Sequence, residues 1–224
     1  MTSVEVIEKV REKINKNSIN DNIAFDNPRI ILAVNEAQNK IVELIIEKKN
    51  EDDISYIQKL VVNDLKLIKS SKKSDDSDYF EIPKNFFHPI NVKVYANDSK
   101  CKRKRINAWE AKGQNTHELL TDQNNKPSFY WEETFYTIGQ DKYRIYKDKT
   151  FEIEQVNLDY YRYPKKIDIE GYIDVNNKNT FNQDPELDDK IMDKIIDIAV
   201  KDLNINVENL NRLQADLTKI NSEI

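Results

Sequence analysis

The sequence predicts an α+β protein: a helical bundle made by its N- and C-terminal helices, with an antiparallel β-rich module inserted between them. Three observations predict it. Apolar residues recur at helical spacing through residues 3–48 and again from Leu187. Between residues 78 and 175 the texture changes to β-branched and aromatic residues, broken by turns such as NDSK and QNNKP. Helical spacing then returns, so the β part lies within the helical part. The expected divisions are N-terminal helices over 1–70, a β-rich module over 71–175, and C-terminal helices over 176–224 that pack back on the first set as one integrated domain.

Val4, Ile7, Val10 and Ile14 predict a short amphipathic helix. A second helix starts near Asp26 or Asn27 as cap, with Pro28 in its first turn. Ile30, Val34, Ala37, Ile41 and Leu44 form its stripe to about Lys48. EDD opens a third, carrying Ile54, Ile57 and Val61. From Asp64, DLKLIKS reads as strand, and SSKKSDDSD as a polar spacer or hairpin loop. A meander of short strands follows: YFEIPKNFFHPINVKVYA, RKRINAW, SFYWEETFYTI, KYRIY, TFEIEQVNLDYYRY and KKIDIEGYI. Asp184 and Pro185 then open a helix buried through Leu187, Ile191, Ile195, Ile198 and Ala199. Leu210, Leu213, Leu217 and Ile220 step by three and four, a coiled-coil-like seam and a candidate subunit interface.

Composition removes several classes of function. With 224 residues, 38% of them apolar, the chain is long enough to bury a core. Its three glycines lie singly, so no glycine-rich loop brings backbone N–H groups to a phosphate. One cysteine makes no intrachain disulfide and fits an intracellular setting. Cys101, His88 and His117 do not supply a Cys/His-rich zinc site, and neither metal nor cofactor is expected. No signal peptide and no membrane span is expected.

Against a net charge of −5 stands the run KCKRKR, with Lys100, Lys102, Arg103, Lys104 and Arg105. Such cations suit contact with nucleic-acid phosphates, and the bland alternative is a solvated strand and turn. Asp98 followed by Glu110-Ala111-Lys112 matches the acidic residue plus E-x-K of Mg²⁺-dependent nucleases, a pattern that chance supplies readily in a chain one-third charged. Phe129, Tyr130, Trp131, Phe135, Tyr136, Tyr143, Tyr146, Tyr160, Tyr161 and Tyr163 suit strand packing, base stacking or interface anchoring.

The order of these segments resembles the head-to-tail connector, or neck ring (adaptor), proteins of tailed bacteriophages, especially short-tailed and crAss-like phages. The likeness runs over residues 26–203: DNPRIILAVNEAQNKIVE, EIPKNFF, KPSFYWEETFYTI, KYRIYKDKTFEIEQVNLDYYRYPKKIDI and the DPEL helix start. Asn85 stands where that family carries an acidic residue, and residues 207–224 have no counterpart in the likeness. The resemblance implies a structural virion protein with no active site. It implies a ring of about twelve copies that docks on the portal, meets a tail or second ring protein, and lines the channel for genomic DNA. The place implied is the virion neck, after synthesis in the host cytoplasm, with no membrane partner. The alternative function is non-enzymatic nucleic-acid binding through residues 100–105.

Overall fold

A computed structural model describes residues 1–17, 25–48, 54–139, 141–171 and 179–204. The chain divides into two compact units. One comprises Met1–Lys59 and Pro164–Ile224, and the other Leu60–Tyr163.

In the first unit, α1 spans Ser3–Asn17 and α2 spans Asn27–Lys48. α1 opens on a capping box. The Glu5 N–H donates to Thr2 Oγ1 (3.2 Å) and the Thr2 N–H donates to Glu5 Oε2 (2.8 Å). Asp184 does not cap the C-terminal helix as expected. Its Oδ1 accepts the Ser3 N–H at 2.8 Å, at the start of α1. The last described helix, α4 at 189–204, starts later, where the Asp188 carbonyl accepts the Ile191 and Met192 N–H groups. Lys9–Asp193 (2.9 Å) and Lys13–Asp197 (2.5 Å) then tie successive turns of α1 to successive turns of α4. Lys40–Asp202 (2.7 Å) ties α2 to the same helix.

Val6, Val10 and Ile14 of α1, Ile30, Val34, Ala37 and Ile41 of α2, and Ile191, Ile195 and Ala199 of α4 are buried. Asn35 fastens the returning chain to α2 as a backbone mimic. Its Nδ2 donates to the Ile167 carbonyl (2.9 Å), and its Oδ1 accepts the Ile167 N–H (2.8 Å). Among the described residues no helix is long and apolar enough to cross a membrane.

The second unit is an eight-stranded sheet. Its strands are β1 Val61–Lys66, β2 Lys69–Ser74, β3 Ser77–Glu81, β4 Phe86–Asn97, β5 Lys104–Glu110, β6 Glu133–Ile138, β7 Lys142–Tyr146 and β8 Glu152–Arg162. Their order is β1-β8-β4-β5-β6-β7-β3-β2. β1 and β2 are therefore opposite edges, yet only Leu67 and Ile68 separate them in sequence. Laid flat, eight strands about 4.8 Å apart would hold those edges roughly 34 Å apart. Three residue steps reach only about 11 Å. The sheet must curl until its edges approach, and the Lys69 Nζ of β2 donates across that seam to the Ile153 carbonyl of β8 at 2.9 Å.

The curl encloses a core that includes Phe80, Val94, Ile106, Tyr143, Ile145, Val156, Leu158 and Tyr160, with Val62 of β1 packed against it. A smaller cluster of Ala111, Phe135 and Tyr146 has Leu119 and Leu120 of the short helix α3, Thr116–Thr121, packed against it. Neighbours Phe135 and Tyr136 belong to different clusters, as strand alternation requires.

Two expectations are corrected. The protein is not a helical bundle with an inserted β module, because the eight-stranded sheet is its dominant element. Nor is the β part an antiparallel meander. β5 and β6 run parallel, and β8 returns to pair with both β1 and β4. The physical reason lies in recruitment by partner strands, β8 far along the chain for β1 and the adjacent β3 for β2. Residues 61–63, read as helix, form strand against β8, and SSKKS, read as spacer, forms most of β2 against β3. Ladder hydrogen bonds from a neighbour override weak local preference.

Candidate interaction surface

The parallel pairing of β5 with β6 decides where the candidate residues meet. Parallel strands start at the same end, so the turn before β5 and the turn before β6 lie side by side. The first turn carries KCKRKR and the second carries FYWE.

The basic turn is held by its own polar side chains. Asp98 Oδ1 accepts the N–H groups of Lys100 and Cys101, both at 2.6 Å, and Asn97 Oδ1 accepts that of Arg103 at 2.5 Å. Those two backbone donors hold the Asp98 carboxyl below the usual aspartate range. Arg103 takes a positive φ of 54°, and its guanidinium stands 5.6 Å from the centre of the Tyr95 ring. Lys100, Cys101, Lys102, Arg103 and Arg105 are exposed. Lys104 is not free: its Nζ lies 2.9 Å from Glu132 Oε1 and 5.2 Å from the Phe129 ring centre.

The aromatic turn is equally constrained. Ser128 and Glu133 exchange backbone hydrogen bonds of 2.8 and 3.1 Å, closing a short loop. Ser128 Oγ accepts the Trp131 N–H at 3.3 Å, and Glu132 adopts φ 57°. Phe129 points into the core beside Phe151, whereas Tyr130 and Trp131 are 80% and 72% exposed. Their rings meet edge to face, 5.0 Å apart at 85°. The Asn107 N–H donates to the Glu132 carbonyl at 2.8 Å, a second tie between β5 and the aromatic turn.

Of the ten aromatics considered from sequence, Phe129, Phe135, Tyr136, Tyr143, Tyr146 and Tyr160 are buried. Tyr161 is half-buried, and Tyr163 is partly exposed with its ring packed on Phe87. Among these ten, only Tyr130 and Trp131 stand largely in solvent. The sequence signal for it was SFYWEE, two large aromatics between a Pro-Ser turn and two glutamates.

The nuclease-like residues are not brought together. Asp98 precedes β5 and Glu110 ends it, about 20 Å apart at strand rise. Among the described residues no group of three His, Cys, Asp or Glu is placed to hold a metal ion. His88 and His117 are both exposed. Leu210, Leu213, Leu217 and Ile220 lie outside the described residues.

One further feature had no sequence signal. A cavity of about 590 Å³ is lined by Lys69, Ser74, Asp78, Lys147, Lys149 and Glu152, among others. The Asp78 side chain, 3% exposed, sits 2.8 Å from Lys69 and 3.6 Å from Lys147, and Lys147 also pairs with Glu152. Burial opposes the charge on Lys147, but the hydrogen bond to Glu152 and the charges of Asp78 and Glu152 outweigh it and raise its pKa. These ions satisfy one another beside the seam, so the arrangement braces the curled sheet.

No protein-family model matches the chain, and no curated protein matches it.

Proposed function

We propose that this chain is a structural subunit of the connector ring of a tailed bacteriophage, joining the portal to the tail and lining the DNA channel. The segment order over residues 26–203 supports the reading through its resemblance to neck ring proteins. The observation that carries it is the display of Tyr130 and Trp131. Two large aromatics are held in water by a closed turn, with side-chain entropy already reduced, as anchors that a subunit buries on its neighbour. The net charge of −5 suits a conduit through which DNA slides without sticking, since like charge opposes phosphate binding.

The test is native mass spectrometry with negative-stain imaging of the chain, alone and mixed with the portal encoded near it. A ring of about twelve copies, alone or on the portal, is expected. A monomer that ignores the portal overturns the reading.

A second reading, non-enzymatic nucleic-acid binding, is favoured by the meeting of the basic turn with two exposed aromatics. It predicts salt-dependent binding of single-stranded DNA that disappears when Lys100, Lys102, Arg103 and Arg105 are neutralised.

A further inference from the structure

We propose that copies of this chain join head to tail: the basic and aromatic end of the sheet unit in one copy seats on the exposed acidic face of α2 in the next. This rests on the ring reading and supplies the contact that the ring requires.

The two units differ in charge. Leu60–Tyr163 carries 18 Lys and Arg against 16 Asp and Glu, while the remainder carries 17 against 24. The unpaired charges narrow the choice further. In the sheet unit, Lys100, Lys102 and Arg105 are exposed and make no ion pair among the described residues, and the segment that carries them adjoins the turn of Tyr130 and Trp131 through the Lys104–Glu132 pair and the β5–β6 pairing. In the helical unit, Asp188 before α4 and the acidic groups of α4 already hold cations: Asp188 with Lys59, Asp189 with the N-terminal amine, Asp193 with Lys9, Asp197 with Lys13, and Asp202 with Lys40. α2 is different. Glu36, Glu43 and Glu47 are exposed with no ion pair among the described residues, and with Leu32, 60% exposed, they fall on one face at helical spacing; of the cations bordering that face, Arg29 stands over the Phe25 ring and Lys40 is held by Asp202. Leu32 beside three unpaired carboxylates complements two exposed aromatics beside unpaired cations.

The chemistry favours protein over nucleic acid as occupant. Tyr130 and Trp131 are 80% and 72% exposed and supply large apolar anchors of the kind that protein interfaces bury. The edge-to-face packing of Tyr130 on Trp131 also denies successive bases two parallel stacking faces. Because the contact uses two different patches, it is heterologous, the type that forms a ring when the rotation between copies closes.

Charge reversal tests this. K102E/R105E makes the donor patch acidic, and E36K/E43K makes the acceptor patch basic. Each variant alone, checked for a native melting temperature, is expected to weaken assembly on the order of 100-fold by mass photometry, on the portal if assembly requires it. Mixed in equal amounts, the two variants are expected to assemble again, since every contact in an alternating ring is then complementary. Rings that form equally well from each variant alone, or a mixture that does not recover, overturn the proposed contact while leaving the ring reading intact. A wild-type chain that stays monomeric alone and with the portal overturns both. Loss of single-stranded DNA binding in K102E/R105E, with E36K/E43K assembling normally, assigns the basic turn to nucleic acid instead.

Discussion

Lys104 and Glu132 form an ion pair, Nζ to Oε1 at 2.9 Å, that links the start of β5 to the turn before β6. The pair is partly exposed and by itself contributes about 0–1 kcal/mol. Its value is positional. It brings the chain's most basic stretch against its most exposed aromatics, and the parallel alignment of the two strands makes that meeting possible.

Adjacent residues of the aromatic turn are expected to behave in opposite ways. Phe129→Ala removes a ring packed in the core beside Phe151 and should lower stability by about 3 kcal/mol, read by urea denaturation. Trp131→Ala removes an exposed ring and should change stability by less than about 0.5 kcal/mol while abolishing subunit assembly. A large stability loss in Trp131→Ala contradicts its role as a displayed anchor.

At the seam, Asp78→Ala strips Lys69 and Lys147 of a shared, buried partner. A loss of about 3 kcal/mol is expected in thermal or chemical denaturation. Lys149→Ala, on the rim of the same cavity, should cost less than about 0.5 kcal/mol. Equal effects from the two changes contradict the bracing role of Asp78.

The fold was only partly legible in the sequence, and the reasons are particular. Ile30, Val34, Ala37 and Ile41 of α2 are buried because a 3.6-residue period needs only local information. The strand character of KYRIY and TFEIEQVNLDYYRY came through for the same reason. β2 did not, because KSSKKS has no strand signal of its own and is held by β3. Asp184 looked like a helix cap and is one, but for α1, 181 residues earlier. The interaction surface was visible only as two separate motifs. Nothing local says that residues 100–105 and 128–133 adjoin, because their meeting depends on a parallel pairing between distant strands.

Alkaline pH is expected to destabilise the sheet unit. Burial raises the Tyr136 phenol to about 12, with a smaller contribution from the charge of Glu110, and burial raises that of Tyr143 further. An unfolded tyrosine ionises near pH 10, so above that the unfolded state releases protons that the folded state retains. Stability is therefore intact below about pH 10 and falls as pH rises toward 12. The raised pKa of Lys147 acts in the same direction. Tyr136→Phe should flatten part of this fall in melting temperature. An unchanged profile contradicts the burial of that hydroxyl as the cause.

Backbone strain in β1 offers a stabilising change. Asp64 has φ 57° at a bulge, its N–H donates to Asp159 Oδ1 at 2.6 Å, and its exposed carboxylate lies 3.3 Å from Lys93. Asp64→Gly relieves the left-handed conformation and keeps the backbone donor. A gain of about 0.5 kcal/mol is expected in urea denaturation, after the small loss of the exposed ion pair. Asp64→Val, β-branched at the same φ, should cost at least about 1 kcal/mol. A glycine variant less stable than wild type by more than about 1 kcal/mol contradicts strain as the governing effect.

The central claim is that this chain builds a ring. Its most direct test is the mass of the complex formed when the purified chain meets the portal encoded near it, read by native mass spectrometry. The account predicts a single closed species of about twelve copies seated on the portal, lost in Trp131→Ala. A chain that remains monomeric in the presence of that portal, at concentrations where both proteins are folded, contradicts it.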